Sequence, residues 1–210
     1  MSQVNLTNIA STSISTPASG LVATYTDTID KRLRRKDDTG FVDCYLQNFS
    51  TVSQAPAAAT RTYITGTNFK VSSTKLQVGS QFRWVFNMTK TAAGIAASTF
   101  DIAVGTAGTT SDTARVSFTK PAGLGTVDEG VVTITACVRT IGATGVMVGE
   151  FSMIHNGNTT GHMVIPCACV NTISAGFDMT VASLQVGVCI TSGAADAITI
   201  QTVQSEAWGI

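Results

Sequence analysis

The stretch Gln81–Lys90, QFRWVFNMTK, constrains the fold of this chain more than any other. Phe82, Trp84, Phe86 and Met88 alternate with Gln81, Arg83 and Asn87. Period two puts the four large apolar side chains on one face of a strand, whereas a helix would scatter them around its circumference. Such a face needs a core of aromatic size beneath it. Phe82, Trp84, Phe86, Phe100 and Ile102 are therefore the predicted centre of the core.

The remainder of the chain beyond Phe41 repeats the pattern with smaller residues. Thr99–Val104, Ala114–Thr119, Val131–Arg139, Gly145–Ile154, Val164–Asn171, Leu184–Thr191 and Ala197–Ala207 each read as a short strand. Turn-forming stretches separate them: Pro121–Gly130, which holds Asp128 and Glu129, and the Asn- and Gly-rich tip HNGNTTG at His155–Gly161. Val, Ile and Thr are common while Glu, Lys, Leu and Arg are scarce, which favours strands over helices. The pattern predicts roughly eight to ten strands in one all-β sandwich or barrel.

Charge is distributed unevenly. Charged residues are 12% of the 210, the net charge is zero, and no Lys or Arg follows Arg139. A stretch so poor in charge is expected to pack much of its outward surface in an interface, with Val181–Ile190 and Ile198–Trp208 as the strands concerned. The charges collect instead between Thr16 and Asp43. There Lys31, Arg32, Arg34, Arg35 and Lys36 form a basic cluster, flanked and nearly cancelled by Asp27, Asp30, Asp37 and Asp38. With no aromatic interleaved and no net positive charge, the cluster reads as a salt-bridged attachment or inter-subunit surface rather than a nucleic-acid site.

Residues 1–40 divide into an uncharged arm, Met1–Ser15, and a small hairpin whose strands are Leu21–Thr26 and Arg32–Lys36. A two-stranded ribbon of this size is marginal alone and needs a host. Residues 41–210 form the sandwich head. No segment has the run of apolar residues that a membrane helix requires, and MSQVNLTNIA lacks the basic and apolar regions of a secretory signal.

The raw material for chemistry is thin. The chain has two histidines and five cysteines, and no Asp, Glu or Cys stands at ligand spacing beside His155 and His162. Cys167 and Cys169 share a strand face in an apolar VIPCACV context, where buried packing is the expected role. Asp128 and Glu129 are adjacent and point apart, unlike the facing carboxylates of a glycosidase. No nucleophile elbow or phosphate-binding glycine loop occurs. The reading is a non-enzymatic protein with no metal and no cofactor.

Two stretches carry a resemblance. TPASGLVATYTDTIDKRLRRKDDTGFVD, at Thr16–Asp43, resembles the N-terminal segments of tailed-bacteriophage virion proteins, both fibres and capsid decorations. WVFNMTKTAAGIAASTFDIAVGTAGTTSDTARVSFTKPAG, beginning at Trp84, is similar to the central block of a group of phage structural proteins. Together the resemblance runs from Ser15 to about His155. It implies a jelly-roll-like sandwich, a homotrimer, and a place in the virion, with the N-terminal arm contacting capsid or tail proteins and the head projecting. The lack of a triple-stranded shaft or coiled-coil heptads favours a capsid decoration or head fibre. The alternative is a tail fibre or a receptor- or glycan-binding module facing the host surface, although Trp84 falls in a core pattern and Trp208 is the one loosely placed aromatic.

Overall fold

The computed structural model describes residues 8–10, 13–28, 33–36, 38, 42–43, 45–71, 75–156, 161–164, 167–193 and 197–210. Its strands are β1 (Asn8–Ile9), β2 (Ala23–Asp27), β3 (Leu33–Lys36), β4 (Val42–Asp43), β5 (Leu46–Ser50), β6 (Arg61–Tyr63), β7 (Phe69–Val71), β8 (Gln81–Lys90), β9 (Ser98–Gly105), β10 (Thr113–Lys120), β11 (Asp128–Thr140), β12 (Val146–His155), β13 (Cys167–Ile173), β14 (Leu184–Thr191) and β15 (Ile198–Trp208). The fold is an all-β, jelly-roll-like sandwich. A six-stranded sheet in the order β13-β12-β11-β8-β15-β5 faces a second sheet in the order β10-β9-β14-β6, with β7 also paired to β14. The chain crosses between the sheets after β5, β7, β8, β10, β13 and β14, so neither sheet is built from one continuous stretch.

β8 lies at the middle of the larger sheet, as its alternation requires. Val132, Ile134 and Ala136 of β11 stand opposite Phe86, Trp84 and Phe82 on one side, and Val203, Ser205 and Ala207 of β15 stand opposite them on the other. All five predicted core residues, Phe82, Trp84, Phe86, Phe100 and Ile102, are fully buried. Phe86 meets Phe100 of the facing sheet at 6.3 Å between ring centroids. Phe100 then meets Phe151 at 5.4 Å, and Phe151 meets Phe118 at 5.9 Å. This aromatic line alternates between the two sheets and locks their spacing. Toward the other end of β8, Phe82 stacks on Trp84 at 5.8 Å, and Phe69 tilts against both. The buried indole N–H of Trp84 donates to the Thr67 carbonyl at 2.8 Å.

The turn that carries Thr67 also closes the side of the sandwich. Gly66 has φ +89°, and a Cβ there would stand 2.6 Å from the Phe49 carbonyl carbon, so only glycine lets this turn approach β5. Thr67 Oγ1 donates to the Ile64 carbonyl and accepts from Val188 N at 3.1 Å.

Charge poverty in β14 has a different cause from the interface expected of it. Val186 to Ile190 are buried on both faces of the strand. Arg61 covers the outer side, pairing with Asp101 and donating to the Thr110 and Asp112 carbonyls. Asp112 holds the 107–112 loop by accepting from Ala107 N and Gly108 N. The chain itself buries both faces, and neither face of β14 is open to a partner.

The N-terminal segment makes a sheet of its own rather than a two-stranded ribbon. The order is β1-β2-β3-β4, with β1 parallel to β2 and the rest antiparallel. Part of the arm thus joins the sheet, which extends through Asp43. Lys36 Nζ donates to the Ile14 carbonyl at 2.7 Å, and Gly20 N donates to Asp38 at 2.7 Å, tying the lead-in to the hairpin. The same chain supplies the host that the ribbon needs. Tyr25 is buried, and an ionic node bonds the sheet to Lys75, between β7 and β8, and to Ile210, after β15.

Candidate functional site

That node corrects one expectation for the basic cluster. Arg34 is 4% exposed and Asp27 fully buried, with Arg34 Nε 3.6 Å from Asp27 Oδ2. Lys75 Nζ sits 3.2 Å from the same carboxylate oxygen. Arg34 Nη1 also donates to the main-chain oxygen of Ile210. Arg34 is therefore not part of an exposed docking surface: strand alternation turns it inward while Leu33 and Arg35 turn out. A guanidinium can be buried here because a carboxylate and a carbonyl meet it. Arg35 is exposed and Lys36 half-buried. Lys31 and Arg32 lie outside the described residues.

At this end of the sandwich Leu33, Tyr45 and Val78 are exposed, and Leu21 and Val22 are exposed ahead of β2. The end is defined by Gln77, whose amide donates to Gly209 O, and by Leu46 of β5 paired with Ala207.

β8 runs from this end, at Gln81, to the opposite end at Lys90. At ~3.3 Å per residue the two are about 30 Å apart. The far end holds a buried polar cluster that no local sequence pattern announces. Lys90 Nζ donates to the carbonyls of Thr91, Leu124 and Thr126 at 2.9, 2.9 and 2.7 Å. Lys120 Nζ donates to those of Pro121 and His162 at 3.0 and 2.9 Å. Asp128, at the start of β11 rather than in the predicted loop, accepts from Glu129 N and from His162 N at 2.9 Å, and its Oδ2 lies 2.7 Å from His155 Nδ1. Each buried charge thus holds main-chain groups, His162 being shared by Lys120 and Asp128, which offsets its desolvation.

The two predicted histidines do meet here, with ring centroids 6.2 Å apart and edge to face. The carboxylate beside them comes from β11, distant in sequence, so ligand spacing could not reveal it. Among the described residues no group of three His, Cys, Asp or Glu side chains is arranged to hold a metal ion. Both ring nitrogens of His162 are buried without a hydrogen-bond partner. Burial lowers its pKa to about 4; the Asp128 carboxylate pulls it upward, while Lys120, His155 and Lys90 push it further down. His162 is accordingly a neutral packing residue at pH 7. The Asp128–His155 pair is sealed from solvent at the side chains and clamps β11 to β12.

Above this cluster, on the outward face of the six-stranded sheet, lies a cleft of about 470 Å³ lined by Asn87, Met88, Thr89, Glu129, Gly130, Val131, Ile154, His155, Asn156 and Gln201. It was not legible beforehand, although Asn87 falls on the polar face predicted for its strand.

The cysteines divide by position. Cys189 is buried, Cys137 intermediate and Cys169 exposed. Cys169 was expected in the core, but it stands opposite Ser152 in an outward row at the sheet edge, where its thiol contacts Glu150 Oε1 at 3.5 Å. Burial beside Asp101 raises the Cys189 thiol to about 12. Cys44 and the side chain of Cys167 lie outside what is described.

No protein-family model matches the chain, and no curated protein matches it. Among solved structures, lectin UEA-II complexed with galactose aligns at 12% identity over 91% of this chain and 98% of that one, with a TM-score of 0.37. The CBM2 module of an evolved Dit from Lactobacillus casei BL23 phage J-1 aligns at 8% identity over 74% and 76%, with a TM-score of 0.32. A Bauhinia forficata lectin in complex with GalNAc aligns at 7% identity over 90% of each chain, also at 0.32. Likeness this loose transfers no property to the present chain.

Proposed function

We propose that this protein is a non-enzymatic structural component of a bacteriophage particle, held at its docking end and projecting its sandwich outward. The observation that carries the reading is the exposure of Leu33, Tyr45 and Val78, close in sequence to the node that bonds the N-terminal sheet to the head, with Leu21 and Val22 also exposed ahead of β2. Exposed large apolar side chains favour a protein partner, and the partner proposed is another protein of the particle, capsid before tail. The wording of Thr16–Asp43 supports the same assignment.

Self-association of the heads as a trimer belongs to the proposal. Its support is the edge strand β13, where Val170 and Ile173 are exposed. Homo-oligomers close such edges by symmetric contact.

Co-sedimentation with particles that lack the protein tests attachment. Full-length protein should pellet with them, and protein lacking Met1–Asp38 should not. Light scattering on both forms reads self-association separately. A truncated head that still binds at full occupancy would exclude the N-terminal segment as the anchor.

A further inference from the structure

The cleft at the far end has the composition of a site rather than of a packing defect. Its floor is the cross-strand pair Val131 and Ile154, which are 40% and 65% exposed. Its rim is amide- and carboxylate-rich, with Asn87, Gln201, Asn156 and Glu129.

The backbone is shaped for this rim. The pairing of β15 with β8 slips between Ile200 and Thr202, which leaves Gln201 as the extra residue of a β-bulge. A bulge bends its strand and re-aims a side chain. Gln201 then donates through its amide nitrogen to Thr89 Oγ1 at 2.9 Å. Asn87 does the same to Thr202 Oγ1 at 2.6 Å. With those nitrogens engaged, both amides are fixed in orientation and keep a carbonyl oxygen as acceptor. Asn156 N donates to the Glu129 carbonyl at 3.1 Å, and the buried Asp128–His155 clamp lies directly beneath.

We infer that this cleft binds a small neutral saccharide. No Lys or Arg lines it, which excludes phosphate, sulfate and uronate groups as the recognised feature. A single carboxylate among several amides suits hydroxyl donors better than a full cation. The aliphatic pair offers a surface for the C–H face of a sugar ring, and the acceptors around it meet ring hydroxyls. The cleft volume falls within the range of small-molecule sites. The site faces away from the docking end, as the reading above needs for a projecting head, yet it is testable on the isolated protein and does not depend on particle attachment.

Ligand-observed saturation-transfer NMR on the full chain is the test. The probes are the methyl glycosides of glucose, galactose, mannose and N-acetylglucosamine at millimolar concentration, with glucuronate and putrescine as charged comparisons. At least one neutral glycoside should take up saturation at its ring C–H protons. The double variant N87A/Q201A should weaken that glycoside by about tenfold, the loss of two ordinary hydrogen bonds, and Ile154→Ser should weaken it as well. All three sites are on the outward sheet face, so circular dichroism should report an unchanged fold. Transfer to none of the neutral glycosides, transfer confined to glucuronate or putrescine, or affinity unchanged in N87A/Q201A each overturns the inference. Co-sedimentation of N87A/Q201A with particles should match the wild type, which keeps this result separate from failure of the attachment reading.

Discussion

Acidification should destabilise this protein through His162, and substituting that side chain should remove the effect. In the folded chain the His162 pKa is about 4, against an ordinary value of 6.5. Between those values the unfolded chain takes up a proton that the folded chain refuses, so unfolding becomes easier as pH falls. The stability at stake is fully present above about pH 6.5 and is lost progressively as pH drops toward 4. Linkage with these two values gives a loss of about 2 kcal/mol between pH 7 and pH 5. Ordinary carboxylates titrate mostly below that window, and the chain has only two histidines.

Urea denaturation at half-unit pH steps from 7.5 to 5 is the assay, with His162→Leu beside the wild type. The main-chain N–H of His162 bonds Asp128 and its carbonyl bonds Lys120, so the substitution leaves those staples in place. Leucine also removes two buried nitrogens that have no partners, and the variant should be at least as stable as the wild type at pH 7. Its midpoint should stay nearly flat down to pH 5. If His162→Leu keeps the wild-type acid slope, the proton is taken up elsewhere and the assignment to His162 is refuted.

Trp84→Ala should cost about 3–5 kcal/mol in chemical denaturation, because it opens a cavity beside Phe82 and Phe69 and leaves the Thr67 carbonyl without its donor; an unmoved midpoint would invert the strand face. Arg34→Ala should cost on the order of 2–3 kcal/mol, less than a fully broken buried pair since Lys75 still meets Asp27. It should also raise hydrogen exchange across β2 and β3, while exposed Arg35→Ala stays within about 0.5 kcal/mol; equal effects from the two would contradict the inward placement of Arg34. Thiol labelling of native protein should modify Cys169 before Cys137 and reach Cys189 only on unfolding, and early labelling of Cys189 would show that β14 is not covered.

The sequence by itself determined the architecture wherever side chains alternate strongly. Phe82, Trp84, Phe86 and Met88 allow one orientation of β8, since a slip by one residue would put every one of them in water. The strands that follow it were legible to within a few residues for the same reason. Shorter strands such as β5, β6 and β7 were not, because three to five residues carry too little periodicity to be distinguished from turns. What only the tertiary structure decided is which groups meet across the sheets. Arg34 reads as one of five surface cations, and the carboxylate and carbonyl that make its burial tolerable come from strand alternation and from Ile210. Asp128 joins His155 and His162 through the pairing of β11 with β12, a register fixed by apolar residues elsewhere in the two strands. The cleft depends on a bulge at Gln201, and a bulge is a difference in residue count between two paired strands. That quantity is defined by both strands together, so neither one's sequence contains it.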